Sequence, residues 1–219
     1  DRTGQVPGGT FGFSPASFTG NPDLLPEESE GWDIGVEQTL FNGLAIIDLT
    51  YFEATLKNEI YTTYGPAPDY FSTPANRTTK SDRSGWEASF SVHPTDDIDI
   101  VGSYTNLEAT EAASTELRRP EHQGAIDASW RVGGGPLKLN LGVTYNGEML
   151  DTDFATFMPA SIDPYTLVRV GASWQVNDTT ELYGRVENVT DEEYQEVLGF
   201  KGAPQAFYIG IRFREEKAR

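Results

Sequence analysis

Along Leu137-Lys138-Leu139-Asn140-Leu141-Gly142-Val143-Thr144-Tyr145 every odd position is apolar or aromatic and every even one is polar or glycine. Successive side chains leave an extended chain on opposite sides, so a period of two marks a strand that separates two unlike environments. The alternation recurs. Trp86, Ala88, Phe90 and Val92 share one face while Glu87, Ser89 and Ser91 share the other, and Ile126, Ala128, Trp130 and Val132 oppose Asp127, Ser129 and Arg131. Val168, Val170, Ala172 and Trp174 oppose Arg169, Gly171, Ser173 and Gln175, and Phe207, Ile209, Ile211 and Phe213 oppose Tyr208, Gly210 and Arg212. One face is greasy and the other charged, which constrains the chain to an all-β fold.

Nine such segments fall near residues 31–40, 44–59, 81–93, 97–108, 120–132, 137–147, 165–175, 180–188 and 205–213. Most run to about 9 to 13 residues, beyond the roughly five or six of soluble strands and close to the nine to eleven of a tilted bilayer-spanning strand. Short links at Phe41-Asn42-Gly43, Pro94-Thr95-Asp96, Gly133-Gly134-Gly135-Pro136 and Val176-Asn177-Asp178-Thr179 carry turn chemistry. They alternate with long links at 60–80, 109–119, 148–164 and 189–204. Antiparallel neighbours reverse direction at each link, so the short turns collect at one end and the long loops at the other, as in outer-membrane barrels. Trp32, Trp86, Tyr104, Tyr145 and Phe207 then fall at the long-loop end and Trp130, Trp174 and Phe213 at the short-turn end, as two aromatic girdles would. A soluble sandwich also alternates, with its apolar face packed on a second sheet.

The 219 residues carry 34 acidic against 16 basic side chains, a net charge of −18 that opposes nucleic-acid binding, and no apolar run long enough for a membrane helix. Zero cysteine excludes disulfides, thiol catalysis and thiolate metal sites. Neither His93 nor His122 stands beside a plausible nucleophile in sequence, so no catalytic, metal or cofactor site is expected. Asp151 and Asp153 offer oxygen ligands for calcium, but read more simply as a solvated acidic turn. The polar face carries Glu87, Asp99, Asp127, Arg131, Lys138, Arg169, Glu181, Arg185, Glu187 and Arg212. In lipid the basic ones would cost about 2 to 4 kcal/mol each near the midplane, so this face belongs in a wet lumen.

Two further motifs bracket the strands: Gly20-Asn21-Pro22-Asp23-Leu24-Leu25-Pro26-Glu27-Glu28-Ser29 and Arg185-Val186-Glu187-Asn188-Val189-Thr190-Asp191-Glu192-Glu193-Tyr194. Both resemble the carboxy-terminal barrel of TonB-dependent outer-membrane receptors. Leu117-Arg118-Arg119-Pro120-Glu121-His122 and Tyr194-Gln195-Glu196-Val197-Leu198-Gly199-Phe200 are most similar to cobalamin receptors and their siderophore-receptor relatives.

The resemblance implies an antiparallel up-and-down transmembrane β-barrel, with this chain supplying the last nine strands of about 22. It divides the chain into a long extracellular loop region over 1–30, barrel strands over 31–213 and a charged tail over 214–219. Family members usually end on an aromatic residue, whereas here six residues follow Phe213. The implied function is uptake of a large scarce nutrient such as cobalamin across the bacterial outer membrane, with a ferric siderophore as the alternative. The implied partners are the TonB energy-coupling complex, an amino-terminal plug domain, the remaining barrel strands and outer-membrane lipid. Glu87, Asp127, Arg131, Arg169, Arg185 and Arg212 would face lumen and plug. Tyr61, Tyr64, Tyr70, Phe71, Phe154 and Phe157 in the long loops are the expected ligand contacts, since aromatics offer large contact area at little entropic cost. A soluble sandwich binding module and an outer-membrane barrel enzyme remain the readings from other classes.

Overall fold

The computed structural model describes residues 18–65, 71–112 and 114–214. It holds two compact units, one of Asp1–Ser29 with Leu56–Lys80 and one of Glu30–Thr55 with Ser81–Arg219. In chain order the strands are β1 (Glu28–Leu40), β2 (Ala45–Lys57), β3 (Ile60–Tyr64), β4 (Ser72–Asn76), β5 (Ser81–Thr95), β6 (Ile98–Glu111), β7 (Ser114–Thr115), β8 (His122–Arg131), β9 (Leu137–Asn146), β10 (Met149–Asp153), β11 (Met158–Ile162), β12 (Tyr165–Asn177), β13 (Thr180–Glu187), β14 (Gln195–Val197), β15 (Phe200–Lys201) and β16 (Ala206–Phe213). The nine long ones form one up-and-down sheet in the order β1-β2-β5-β6-β8-β9-β12-β13-β16, with β7 added to β6. These are the nine segments expected from the alternation.

Register explains why the pattern holds. Val92, Ile100, Ala128, Leu141, Val170, Val186 and Phe207 stand opposite one another in a single row across seven strands. A slip of one residue in any strand would turn its apolar set to the polar side, so the row fixes the pairing. The short turns are tight: β1 passes to β2 through Asn42 and Gly43 at φ 58° and 96°, and β8 to β9 through Gly133 and Gly134 at 58° and 65°. Glycine enters this left-handed region without the Cβ clash that other residues suffer there.

Among the described residues the buried apolar side chains are Ala45, Ala109, Met149 and Ile162, so there is no conventional core. The apolar face instead lies open: Ile209 is 93% exposed, Phe207 72% and Trp174 49%. A sandwich would bury these against a second sheet, and none covers them among the described residues. An apolar surface of this extent marks contact with a partner or a membrane. At its long-loop margin Trp32, Tyr51 and Trp86 pack in series as tilted rings, centroids 5.5 and 5.0 Å apart, and Trp32 Nε1 and the Tyr51 hydroxyl donate to Glu53. Rings with one apolar flank and one polar tip suit a water–lipid boundary.

The long links, expected only as loops, carry small hairpins of their own: β3–β4, β10–β11 and β14–β15. Side chains sew them down. In the first unit Asn21 donates to the Pro74 carbonyl, Leu25 and Asn76 exchange two hydrogen bonds, and Glu27 accepts from the Ile60 amide. In the second unit buried Asn188 donates to the carbonyls of Glu192 and Ala203 and accepts from the Glu192 amide. Asp191 takes the Gln205 amide. Both motifs singled out in the sequence are thus clamps at loop bases.

Candidate functional site

Three features could do chemistry or recognition: the polar face of the sheet, the cluster of long loops, and a hydrogen-bonded serine–histidine–aspartate chain.

On the polar face, charges pair across strands. Arg169 on β12 crosses β9 to reach Asp127 on β8, and it can do so because Gly142 lies between them. A Cβ at Gly142 would come within 2.8 Å of Arg169 Cγ and Cζ. Arg185 pairs with Glu187 at 2.8 Å and lies over the Tyr208 ring. Arg212 and Arg214 both pair with Glu181 at 3.0 Å, and Arg212 also covers Tyr183. Glu87 stands opposite Thr105. Arg131 stands directly opposite Lys138. Of these, Arg131, Lys138, Arg169, Glu181, Arg185 and Arg212 border, with Asn140, Ser173 and Gln175, a groove of about 870 Å³ at the short-turn end. The five members expected to face the lumen from β8, β12, β13 and β16 are therefore brought together, and Glu87 lies on the same face of β5.

At the opposite end a fully buried carboxylate organises the loops. Asp151 on β10, 1% exposed, accepts from Arg118 Nε at 2.7 Å, from the Thr152 amide at 2.8 Å and from the Leu198 amide at 3.0 Å. The Arg118 amide in turn donates to the Leu150 carbonyl at 2.7 Å. Three long links, 109–119, 148–164 and 189–204, therefore meet at one side chain. Burial pushes the Asp151 carboxyl up, but the Arg118 hydrogen bond and the two amides outweigh it and hold it below the usual carboxylate range. Asp153 caps the tip of the same hairpin: the Ala155 amide and the Thr156 hydroxyl both donate to it, and they lower its pKa. Asp151 is therefore not the solvated acidic turn expected from sequence, being buried with protein donors on its oxygens, whereas Asp153 stays partly exposed at the hairpin turn. Among the described residues no cluster of three or more metal-ligating side chains occurs.

The aromatic residues expected to touch ligand divide between the units. Tyr61 and Tyr64 sit on opposite faces of the β3–β4 hairpin, Arg77 lies 4.9 Å over the Tyr61 ring, and the Phe71 ring covers Gly65. Tyr70 lies outside the described residues. Phe154 and Phe157 crown the β10–β11 turn, with Phe157 76% exposed. Two rings that sequence reasoning passed over, Tyr165 and Tyr194, pack at a tilt with centroids 4.7 Å apart beside a cleft of about 460 Å³ that Asp163, Glu193 and Lys201 also border. Their signal was weak, since they are 29 positions apart and only the closed 189–204 loop brings them together.

On β5, Ser91 Oγ lies 3.0 Å from His93 Nε2, and His93 Nδ1 lies 2.8 Å from Asp99 Oδ1. This is the order of groups that acyl transfer uses, and a serine two positions before a histidine on one strand face was its overlooked signal. Acyl transfer also needs two free amides for an oxyanion. Ser91 lies inside a strand paired on both edges, where amides serve the ladder. Asp99 is shared with the Ser129 hydroxyl, and the chain ties β5, β6 and β8 together at the short-turn end.

The family model for the TonB dependent receptor-like β-barrel matches residues 2–189. The chain belongs to that family. Its TonB-dependent receptor barrel is 27% identical over 206 residues to the vitamin B12 transporter of Vibrio cholerae, a match covering 89% of this chain and 31% of the relative. It is 26% identical over 227 residues to the iron-regulated outer membrane virulence protein of the same species, covering 95% of this chain and 33% of the relative. Among solved structures, the outer-membrane ferripyoverdine receptor of Pseudomonas aeruginosa bound to ferripyoverdine aligns with a TM-score of 0.70 at 21% identity, over 87% of this chain and 27% of that one. The chain thus spans about a third of the length of the vitamin B12 transporter and the iron-regulated protein. The nine-strand up-and-down sheet is this family's barrel architecture.

Proposed function

We propose that this TonB-dependent receptor barrel is the carboxy-terminal wall of an outer-membrane transporter that takes up a large, scarce nutrient of the cobalamin type. The observation that carries the reading is the two-faced sheet: an uncovered apolar face suited to lipid and an ion-paired polar face suited to a wet lumen, in a chain of this family. An amino-terminal plug domain and the earlier strands would complete the barrel, and the TonB energy-coupling complex would act through that plug. The wall performs no bond chemistry. It positions loops, encloses the plug and separates lipid from water.

Capture falls to the long-loop end. The candidate contacts are Tyr61, Tyr64, Tyr70 and Phe71 of the 60–80 link and Phe154 and Phe157 of the 148–164 link, and in the second unit the cleft beside Tyr165 and Tyr194 offers a recess. A ferric siderophore is the second reading, favoured by the likeness to the iron-regulated protein and to the ferripyoverdine receptor. The test is the full-length receptor expressed in a strain lacking its own cobalamin and siderophore receptors, with radiolabelled cobalamin and ferric siderophores supplied in turn. Uptake of cobalamin that requires TonB supports the first reading, uptake of siderophore alone replaces it with the second, and binding of neither overturns both. Replacing the six loop aromatics by alanine should weaken uptake while the barrel stays folded in the membrane; unchanged binding and uptake would remove these loops from the capture surface.

A further inference from the structure

The cleft beside Tyr165 and Tyr194 differs in charge from the sheet below it. Tyr165 stands in one cross-strand row with Asn146, Gln123, Thr105 and Glu87, so it leaves the sheet on the polar side, at the long-loop end. Farther down that face, Arg169, Arg185 and Arg212 each meet a carboxylate. Around the cleft, four carboxylates, Asp163, Asp191, Glu192 and Glu193, stand against one cation, Lys201. The Asp163 and Glu192 side chains have no hydrogen bond or ion pair among the described residues. Glu193 meets Lys201 only at 3.4 Å, with both side chains largely in water, where such a contact is weak. The walls are apolar and held in place. Tyr194 lies against Gly202, where any Cβ would collide with its ring, and Tyr165 leans on Tyr194. Pro164, Pro204 and Leu198 complete the lining, and the Leu198 amide is tied to the Asp151 hub.

We propose that this cleft recognises an organic cation, an alkylammonium arm on the nutrient that the receptor carries. An ammonium group is attracted by the face of a tyrosine ring and by carboxylates together, and its methylene stem is covered by the apolar walls. A bare metal ion suits the space poorly: about 460 Å³ is far more than an ion fills, and no group of three or more metal-ligating side chains occurs among the described residues. An anion would face four carboxylates with one lysine to oppose them. The inference rests on the uptake reading and sharpens its second nutrient class: among ferric siderophores, those with a free amine arm are the ones this cleft selects. The selection is electrostatic at a partly exposed site, so it weakens as salt rises.

Two measurements on the full-length receptor test this, and the proposal requires both results. Ser161 borders the cleft and is exposed, so Ser161→Cys, in a background otherwise free of cysteine, reports occupancy through its labelling by an uncharged methanethiosulfonate. The probes are n-pentylammonium and 1-pentanol, which differ only in the head group. At low salt and pH 7, n-pentylammonium should slow labelling saturably and 1-pentanol should not. Asp163→Asn/Glu192→Gln should raise the half-protecting concentration about tenfold, since each exposed carboxylate contributes a few-fold. Lys201→Gln should lower it, and this opposite sign separates an electrostatic site from a loop that has come loose. Equal protection by both probes, no protection, or protection unchanged in the double variant overturns the assignment. In the second measurement, cells of the receptor-deficient strain are offered a radiolabelled ferric trihydroxamate with a terminal primary amine, its N-acetyl derivative, and cobalamin. Preferred uptake of the amine form, with the preference lost in Asp163→Asn/Glu192→Gln, is the expected result. Entry of cobalamin or of the N-acetyl form without any preference for the amine overturns the inference and leaves the uptake reading standing. Entry of none of the three removes both.

Discussion

Replacing Asp151 by alanine should release three loops at once. The side chain is buried and accepts from Arg118 Nε and from the amides of Thr152 and Leu198. Without it both amides lose their acceptor, at about 1–3 kcal/mol for each group left unpaired. The Arg118 guanidinium loses a charge-assisted bond worth roughly 1.5–3 kcal/mol, of which only part is forfeited because the arginine is half exposed and rehydrates. The sum is about 3–5 kcal/mol of local stability, matching the usual penalty for breaking a buried ion pair. Opening of the loop cluster should therefore increase on the order of a hundredfold or more, since about 1.4 kcal/mol is a factor of ten. Hydrogen exchange by mass spectrometry on the full-length receptor reads this directly: peptides covering 148–164 and 189–204 should lose protection while those from β9 and β12 keep it. Asp151→Asn, which retains one acceptor but not the charge, should fall between. The wild type also has a defined pH response. Because the folded carboxyl is more acidic than the unfolded one, its contribution is full above the ordinary aspartate value of about 3.9 and is lost as pH falls through the lower folded value. Loop protection, corrected for intrinsic exchange, should hold from pH 7 to pH 5 and fail only below that range. Unchanged exchange in Asp151→Ala, or loosening already near pH 6, would refute the hub.

Gly142→Ala should push Arg169 away from Asp127 and cost about 1 kcal/mol, by overpacking a side chain that can partly yield; a lower transition temperature in heat-dependent gel mobility checks it, and no change would mean that Arg169 moves aside freely. Asn188→Ala removes three hydrogen bonds from a buried position and should cost roughly 2–3 kcal/mol at the base of the 189–204 loop, seen as faster proteolysis there with the sheet intact. Spin labels at Val143, Val170 and Ile209 should be relaxed by oxygen dissolved in lipid, and labels at Thr144, Arg169 and Tyr208 by a water-soluble nickel complex. Equal accessibility on the two faces would remove the membrane reading.

Strand positions and faces were legible because alternation is a local property. Leu137 to Tyr145 carry the β9 pattern whatever lies beside them, and turn residues such as Asn42-Gly43 and Gly133-Gly134 mark where the chain must reverse. Membership of the polar face followed from the same parity, so Asp127, Arg169, Arg185 and Arg212 could be grouped before any contact was known. What each charge meets was not legible. Arg169 and Asp127 are 42 positions apart and connect only because register places Gly142 between them. Arg131 and Lys138 look like two more paired cations in sequence, and only the register sets them face to face. The long links were misjudged for a related reason: short polar hairpins such as β10–β11 lack a hydrophobic period, and a few long-range hydrogen bonds stabilise them instead.

The sequence by itself determined a β-chain with one apolar and one charged face, short turns at one end and long loops at the other, because side-chain parity and turn chemistry act over a few residues. Only folding in three dimensions set that Asp151 gathers three loops, that Ser91, His93 and Asp99 align, that Tyr165 meets Tyr194, and that Arg131 faces Lys138. Each of these depends on strand register and loop closure, which bring distant positions to within a few ångströms and leave no trace in the local pattern.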